Sequence, residues 1–350
     1  MTGPRIVIIG GGILGCTVAA RLLECEPQAR LSLVDQGLIG GGASMYSAGV
    51  HFPVGRSERV RRLSGASADY YQTLHARHPQ LPMHGFDFFV AAGSADAEQV
   101  RARCAGLRPL SAEERRQVMP ELPYGQEVWR MPDCHAMDVQ GLAQWYARRL
   151  RERAELLEGV GVEAIREHVD GVSVLLSSGR SLAADAVVLC PGPWANEGCW
   201  RELTAALDIR VKKVVALHLQ RPPEHGHALF FPVEDAFLAP LPQRGHWLFS
   251  YTCQQWDVTP DKCRQARVEA RELDEAREAL RGIAPALAQQ LGSGRVFCDA
   301  YSPSREPLVQ FVGRHQRILF AGAGNGSGYR LAPGIAAEAL ALLNHALTTG

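Results

Sequence analysis

A chain of 350 residues, 46% hydrophobic and 21% charged, has the composition of a globular protein large enough for one large or two medium domains. Its 37 basic and 37 acidic residues cancel to a formal net charge of zero, which argues against nucleic acid or an anionic membrane as partner. No apolar run approaches the roughly 20 residues of a membrane span, no charged segment precedes an apolar one at the N-terminus, and nine cysteines without a C-x-x-C pair fit reduced thiols in the cytoplasm.

The chain opens with Ile6-Val7-Ile8-Ile9, an uninterrupted β-branched run of the kind found in parallel strands buried on both faces. Gly10, Gly12 and Gly15 come next at G-x-G-x-x-G spacing. Val18, Ala19, Leu22 and Leu23 then recur at helical spacing, and a second apolar strand, Leu31 to Val34, ends on Asp35. This is the strand–turn–helix–strand unit of a dinucleotide site. Gly10 makes the turn, Gly12 lets a pyrophosphate approach the backbone, and Gly15 lets the helix pack on the strand. The helix N-terminus, with Ile13 and Leu14, offers N–H groups to phosphate, and Asp35, with Gln36 beside it, faces a ribose diol.

Leu38 to Gly55 (LIGGGASMYSAGVHFPVG) is rich in glycine and small residues and reads as a loop that hugs a ligand, neither helix nor strand. Gly42, Ala43, Ser44, Ser47, Ala48 and Gly49 are its candidate contacts, and His51 and Phe52 close it. Ser57 to His78 reads as a helix with Ser57 as N-cap, Phe86 to Ala91 as a strand, and Asp96 to Leu107 as an exposed helix. Ser111-x-x-Glu114 is a capping box, and Pro120, Pro123 and Pro132 break up the segment between it and Asp138.

Asp138 caps a helix running to about Ala154. Val160 to Arg166 reads as a strand, and Val172 to Leu176 with the turn Ser178-Gly179 as a small hairpin. Ala186 to Cys190 is a second fully apolar strand and runs into Pro191-Gly192-Pro193-Trp194, so the chain returns to its first sheet and the first domain is discontinuous. Val211 to Gln220, Ala228 to Phe231, Ala236 to Leu241 and Trp247 to Thr252 read as an antiparallel sheet that walls a pocket, and Asp261 to Arg281 as one long polar helix. Arg295 to Gly313 reads as irregular and Pro-rich, Ile318 to Phe320 as the last buried strand. After Gly322 to Gly334 comes an Ala-rich helix with Pro333 in its first turn, its N-terminus suited to negative charge. The one close His pair, His225-x-His227, is too small a set for a metal, and none is expected.

Four motifs in order, RIVIIGGGILG, GGGASMYSAG, VVLCPGPW and ILFAGAGNGSGYRLAPG, make the chain resemble the FAD-dependent amine oxidase family of D-amino-acid oxidase, glycine oxidase and sarcosine oxidase over nearly its whole length. The resemblance implies an α/β fold with an α+β second part. A Rossmann-like FAD-binding domain would comprise 1–54, 138–210 and 295–350, and a discontinuous antiparallel-sheet substrate domain 55–137 and 211–294. It implies further FAD contacts from Ile165, Gly192 and Trp194, and from Gly324, Asn325, Gly326, Ser327, Gly328, Tyr329, Arg330 and Leu331. It also implies hydride transfer from a C–H beside nitrogen to the flavin, an imine product and O2 as electron acceptor. The family's carboxylate-binding arginine falls at Asp299, its supporting tyrosine at Phe237 and the histidine of its last loop at Gly324. Arg305 or Arg330 would replace the clamp, or the substrate would have no carboxylate there, or a cationic substrate would pair with Asp299. Cys298 is one position from the cysteine that tethers FAD in sarcosine-oxidase-like members, and reads as a buried structural thiol.

The leading reading is an oxidase of an amine or unusual amino acid, with His51, Asp299 and Arg330 as catalytic candidates. His51, Phe237, Tyr301 and Arg305 would be the pocket residues. The partners are a small-molecule substrate and O2, with homo-oligomer formation left open. The alternatives are an FAD-dependent 2-hydroxyacid or alcohol dehydrogenase using His51 as base, and a flavin-binding subunit of a larger complex.

Overall fold

The computed structural model describes residues 3–104, 106–118, 122, 125–223, 227–241 and 244–349; Pro120, Pro123 and His225 lie outside the described residues. The first strand, Arg5–Ile9, is central in a six-stranded sheet. The sheet runs in the order Leu308–Phe311, Ile318–Gly322, Ala186–Leu189, Arg5–Ile9, Arg30–Asp35 and Glu155–Glu158. All neighbours are parallel except the edge strand Leu308–Phe311. Ile6 and Ile8 pack with Val18, Leu22 and Ile335 of the helices, whereas Val7 and Ile9 pack with Val172 and Val174 of a second, three-stranded sheet. Cores on both faces explain why the strand has no polar alternation.

The larger sheet has eight strands, in the order Leu291–Tyr301, Arg210–Leu219, His246–Tyr251, Ala236–Leu241, His227–Phe231, Asp87–Gly93, Gln126–Met131 and Arg108–Pro109. It is antiparallel apart from one parallel pair, Asp87–Gly93 against His227–Phe231. One face packs on the helix Ala270–Ile283 through Val215, Leu217, Ala276 and Leu280.

Several elements differ from the sequence expectation. Leu291–Tyr301 is a regular edge strand rather than an irregular stretch, and it carries residues 295–301 into the eight-stranded sheet, past the expected boundary at 294. The loop after Asp35 contains the short helix Ala43–Tyr46 and the strand Val50–His51, which pairs with His135–Met137. The polar helix is broken into Pro260–Gln265 and Ala270–Ile283, because Glu269 and Glu272 form a capping box that starts the second segment. Glu155–Glu158 is a strand that the sequence pattern did not reveal. The last helix, Gly328–Thr349, begins before Pro333, which therefore lies inside it. The Ser57 cap, the Asp138 cap and the Ser111/Glu114 capping box form as read.

Candidate functional site

The Gly-rich turn after the first strand is shaped by backbone contact. Gly10 has φ +106°, and a Cβ there would lie 2.1 Å from the Cys190 carbonyl oxygen. A Cβ on Gly15 would lie 1.9 Å from the Gly10 oxygen, so the helix Ile13–Cys25 can approach the strand only with glycine there. At Gly12, the N-cap residue, the nearest atom to such a Cβ is Ser44 Oγ at 3.3 Å, and glycine offers no side chain of its own to cap the helix. Ile13 N–H donates to Ser44 Oγ at 2.9 Å, which ties the helix start to the Ala43–Tyr46 turn. Asp35 accepts from the N–H groups of Gly11 and Gly37, each at 2.7 Å, and burial raises its carboxyl pKa. A helix N-terminus behind an open glycine, with an acid at the end of the next strand, fits the pyrophosphate and ribose of FAD.

Ile13 also lines a cavity of about 420 Å³. Its lining also includes residues of Ala43 to Arg56, among them Ser44, Ser47, Ala48 and Gly49, and Gly324 to Leu331. One wall is a face of the eight-stranded sheet, where alternate residues of adjacent strands look inward: Lys212, Val214 and Ala216, then Leu248 and Ser250, then Phe297, Asp299 and Tyr301. Phe230, Phe237 and Trp256 complete the aromatic lining. This slot, lined by the start of the helix, two Gly-rich segments and an aromatic sheet face, suits a flavin with a substrate against it.

The last Gly-rich turn is held by the strand Leu291–Tyr301. Asn325 N–H donates to the Ala300 oxygen at 3.2 Å, and Asn325 Oδ1 accepts from Ser302 N–H at 3.1 Å. Asp299 Oδ2 accepts from Gly326 N–H at 2.9 Å, and burial pushes the Asp299 carboxyl up to about 6. Arg330 bonds the carbonyl of Val54 and, at 2.9 Å, Ser327 Oγ; its guanidinium stacks over Phe52 at 4.9 Å. Burial lowers its pKa to about 10, and no carboxylate among the described residues pairs with it.

His51 is not part of this cavity. It is fully buried, its ring stacks on His135 at 4.8 Å, and its Nε2 faces the Ser64 oxygen at 3.3 Å. Burial, then the neighbouring His135 and Arg330, lower its pKa to about 3. It is a neutral core residue, and the expectation that it contacts substrate is withdrawn. Phe237, Asp299 and Tyr301 line the cavity; Arg305 does so from an exposed position.

Trp194 lies within 3.5 Å of where a Gly42 Cβ would be, and Gly192 begins the turn before it. Gln36 is exposed, and Ile165 is half-buried on the strand Val162–His168 beside Val174; neither lines the cavity. Cys298 points to the other side of its strand, against Val211 and Cys263, away from the cavity. No group of three metal-ligating side chains occurs among the described residues.

Sequence reasoning missed Lys212. It is 7% exposed, with Nζ over the rings of Trp256 at 5.1 Å and Tyr301 at 5.4 Å, and burial lowers its pKa. The alternation of Val211 to Gln220 put Lys212 on one face with Val214 and Ala216, but did not say that this face meets the slot.

The family model described as FAD dependent oxidoreductase (DAO) matches residues 5–342. Among curated proteins, L-2-hydroxyglutarate dehydrogenase of Salmonella houtenae is 27% identical over 206 residues, 54% of this chain. The match spans 48% of that relative, so the chain covers about half its length. Among solved structures, glycine oxidase from Geobacillus kaustophilus superposes with a TM-score of 0.79 at 17% identity, covering 98% of this chain and 95% of that one. Iminodiacetate oxidase from Chelativorans sp. BNC1 gives 0.78 at 22% identity, covering 97% and 95%. These two likenesses speak for the fold.

Proposed function

Because this chain belongs to the DAO family of FAD-dependent oxidoreductases, we propose that it oxidises the C–N bond of a small amine or amino acid to an imine. FAD supplies the two-electron acceptor, and O2 takes the electrons in turn. The observation that carries this reading is the make-up of the cavity. Its described lining contains no histidine, and its two carboxylates are both engaged: Asp235 faces Arg56 at 3.6 Å, and Asp299 accepts from Gly326 N–H and Ala300 N–H. An alcohol gives up a hydroxyl proton as it is oxidised and needs a base for it. A neutral amine supplies its own lone pair and does not.

The lining residues then take separate roles. Phe230, Phe237, Trp256 and Tyr301 exclude water and disfavour the ammonium form of the substrate, which lowers its pKa toward the reactive neutral amine. Lys212 and Arg330 form no close ion pair among the described residues, Asp235 acting on Lys212 only at longer range, and would receive the carboxylate of an amino acid, in place of the clamp missing at Asp299 and Phe237. Asp299 holds the last Gly-rich turn and adds negative charge to the wall.

A second reading, oxidation of a 2-hydroxyacid, is favoured by the likeness to L-2-hydroxyglutarate dehydrogenase and would use Asp299 as base. Anaerobic titration of the flavoprotein separates the two. Glycine, D- and L-amino acids, N-methylated amino acids, simple amines and 2-hydroxyacids are added while the oxidised flavin band is monitored. Bleaching by an amine or amino acid supports the first reading; bleaching by 2-hydroxyacids alone overturns it.

A further inference from the structure

The cavity-facing side of the eight-stranded sheet continues beyond Phe297, where Phe297 stacks on Tyr46 at 5.5 Å. Two residues along the same strand is Arg295, the cross-strand neighbour of Ala216. Next on this face come Ser293 and, opposite it, His218; His246 lies beyond them on the adjoining strand. The His218 and His246 rings lie 3.9 Å apart. His218 Nδ1 faces Ser293 Oγ at 3.5 Å, and His246 Nδ1 faces the Arg244 carbonyl oxygen at 3.0 Å, so both Nε2 atoms are left over.

All three nitrogens of the Arg295 guanidinium, together with Nε2 of His218 and Nε2 of His246, are buried without a hydrogen-bond partner among the described residues. Buried guanidinium groups are otherwise paired, because an unpaired one forfeits its hydration with no return. Among the described residues, the other groups that bear on it are Arg244, which is also cationic, and the Tyr46 hydroxyl, with no carboxylate among them. The five nitrogens are clustered at the end of the sheet where Ser293, Arg244 and Gly245 are exposed.

We propose that Arg295, His218 and His246 form a binding site for a small oxyanion, separate from the flavin slot and reached from the exposed end at Ser293 and Arg244. The oxygens of a sulfate, a phosphate or a carboxylate would accept from the Arg295 fork and from the two imidazole Nε2–H groups. The histidines, held neutral by burial and by the surrounding cations, take up protons as the anion arrives. Affinity therefore rises as pH falls, by up to about tenfold per pH unit for each proton taken up. Such a site is independent of which substrate the flavin slot takes.

The test is thermal unfolding of the holoprotein in sodium sulfate, and separately in sodium acetate, against sodium chloride of equal ionic strength, at pH 6, 7 and 8. Sulfate stays dianionic throughout, so any pH dependence of its effect belongs to the protein. The wild type should show a saturable rise in Tm with sulfate or acetate, larger at pH 6 than at pH 8. A response to sulfate alone identifies a tetrahedral dianion, and a response to acetate identifies a carboxylate. Arg295→Met should have a higher Tm than the wild type without anion, because it removes an unpaired buried charge, and should lose the saturable rise. In the double variant His218→Gln and His246→Gln the pH dependence of the response should vanish; this variant carries the test if Arg295→Met does not fold. No saturable rise in the wild type, an undiminished rise in Arg295→Met, or an unchanged pH dependence in the double histidine variant overturns the proposal.

Discussion

Tyr71 donates its hydroxyl hydrogen to the carbonyl oxygen of Tyr329 at 2.7 Å, the acceptor that Pro333 leaves without its helical N–H partner. A proline five residues into a helix would otherwise strand that oxygen in the core, since both tyrosines are buried. The bond also fixes the helix Glu58–Arg77 to the start of Gly328–Thr349, beside the cavity. Tyr71→Phe should destabilise the protein by about 1–3 kcal/mol, the cost of a buried acceptor left open. In a Pro333→Ala background the loss should shrink, because the restored backbone N–H at position 333 can take the oxygen. Denaturant titration of the four proteins in the cycle measures the difference.

Gly12 and Gly15 should fail differently when each is replaced by alanine. At Gly15 the new methyl collides with the Gly10 backbone at 1.9 Å, so the variant should express poorly or aggregate. At Gly12 the nearest obstacle is a serine hydroxyl at 3.3 Å, so the variant should fold but bind FAD more weakly. Circular dichroism and the flavin content of the purified proteins separate the two.

The stacked pair His51 and His135 makes the protein sensitive to acid. Burial lowers His51 to about 3 and His135 to about 4, against about 6.5 in an unfolded chain. As pH falls from about 6.5 toward 4, the unfolded chain therefore binds protons that the folded one refuses, and this pair's contribution to stability falls with it. Asp299 has the opposite sign, since its carboxyl is raised to about 6 and protonates first in the folded state. Denaturant midpoints at pH 7.5 and pH 5 should fall further in the wild type than in His135→Gln. The His51→Gln variant should keep every limb of the pH–rate profile, because that imidazole neither lines the cavity nor titrates above about pH 5.

Lys212→Met tests the carboxylate assignment in the slot. For an amino-acid substrate KM should rise about 10- to 100-fold, the loss of a charge-assisted hydrogen bond of about 1.5–3 kcal/mol. For the matching amine without a carboxylate KM should change little. Spectral titration of the flavin with a non-reacting carboxylate gives the same comparison without turnover.

The dinucleotide end was legible in the sequence because its pattern is local: Gly10, Gly15, Ile13 and Asp35 lie within one strand–turn–helix–strand unit, and the contact that demands glycine at Gly15 arises inside it, although the one at Gly10 comes from the distant Cys190 carbonyl. The cavity was legible only in part. Phe237, Tyr301 and Asp299 line the cavity wall. His51 was misread because a histidine closing a Gly-rich loop looks like a ligand-facing residue. What hides it is a pairing with His135, 84 positions away, which no local pattern encodes. Lys212 was missed for the same reason: its role depends on a long-range register with Asp299 across two strands. The strand Leu291–Tyr301 was obscured by its polar cavity-side residues, although Val296, Cys298 and Ala300 alternate with them in the two-residue period of a strand.

That alternation sets how this enzyme can change its specificity over time. Phe297, Asp299 and Tyr301 line the cavity, with Arg295 on the same face of the strand, while Val296, Cys298 and Ala300 fill cores behind the sheet. A single inserted or deleted residue would exchange the two sets, placing an arginine and an aspartate in the core and a valine and an alanine at the wall. The wall can therefore diverge residue by residue at its odd-numbered positions, but its length is frozen. New substrates must be reached by substitution there, or by remodelling of the Ala43 to Arg56 segment on the opposite side.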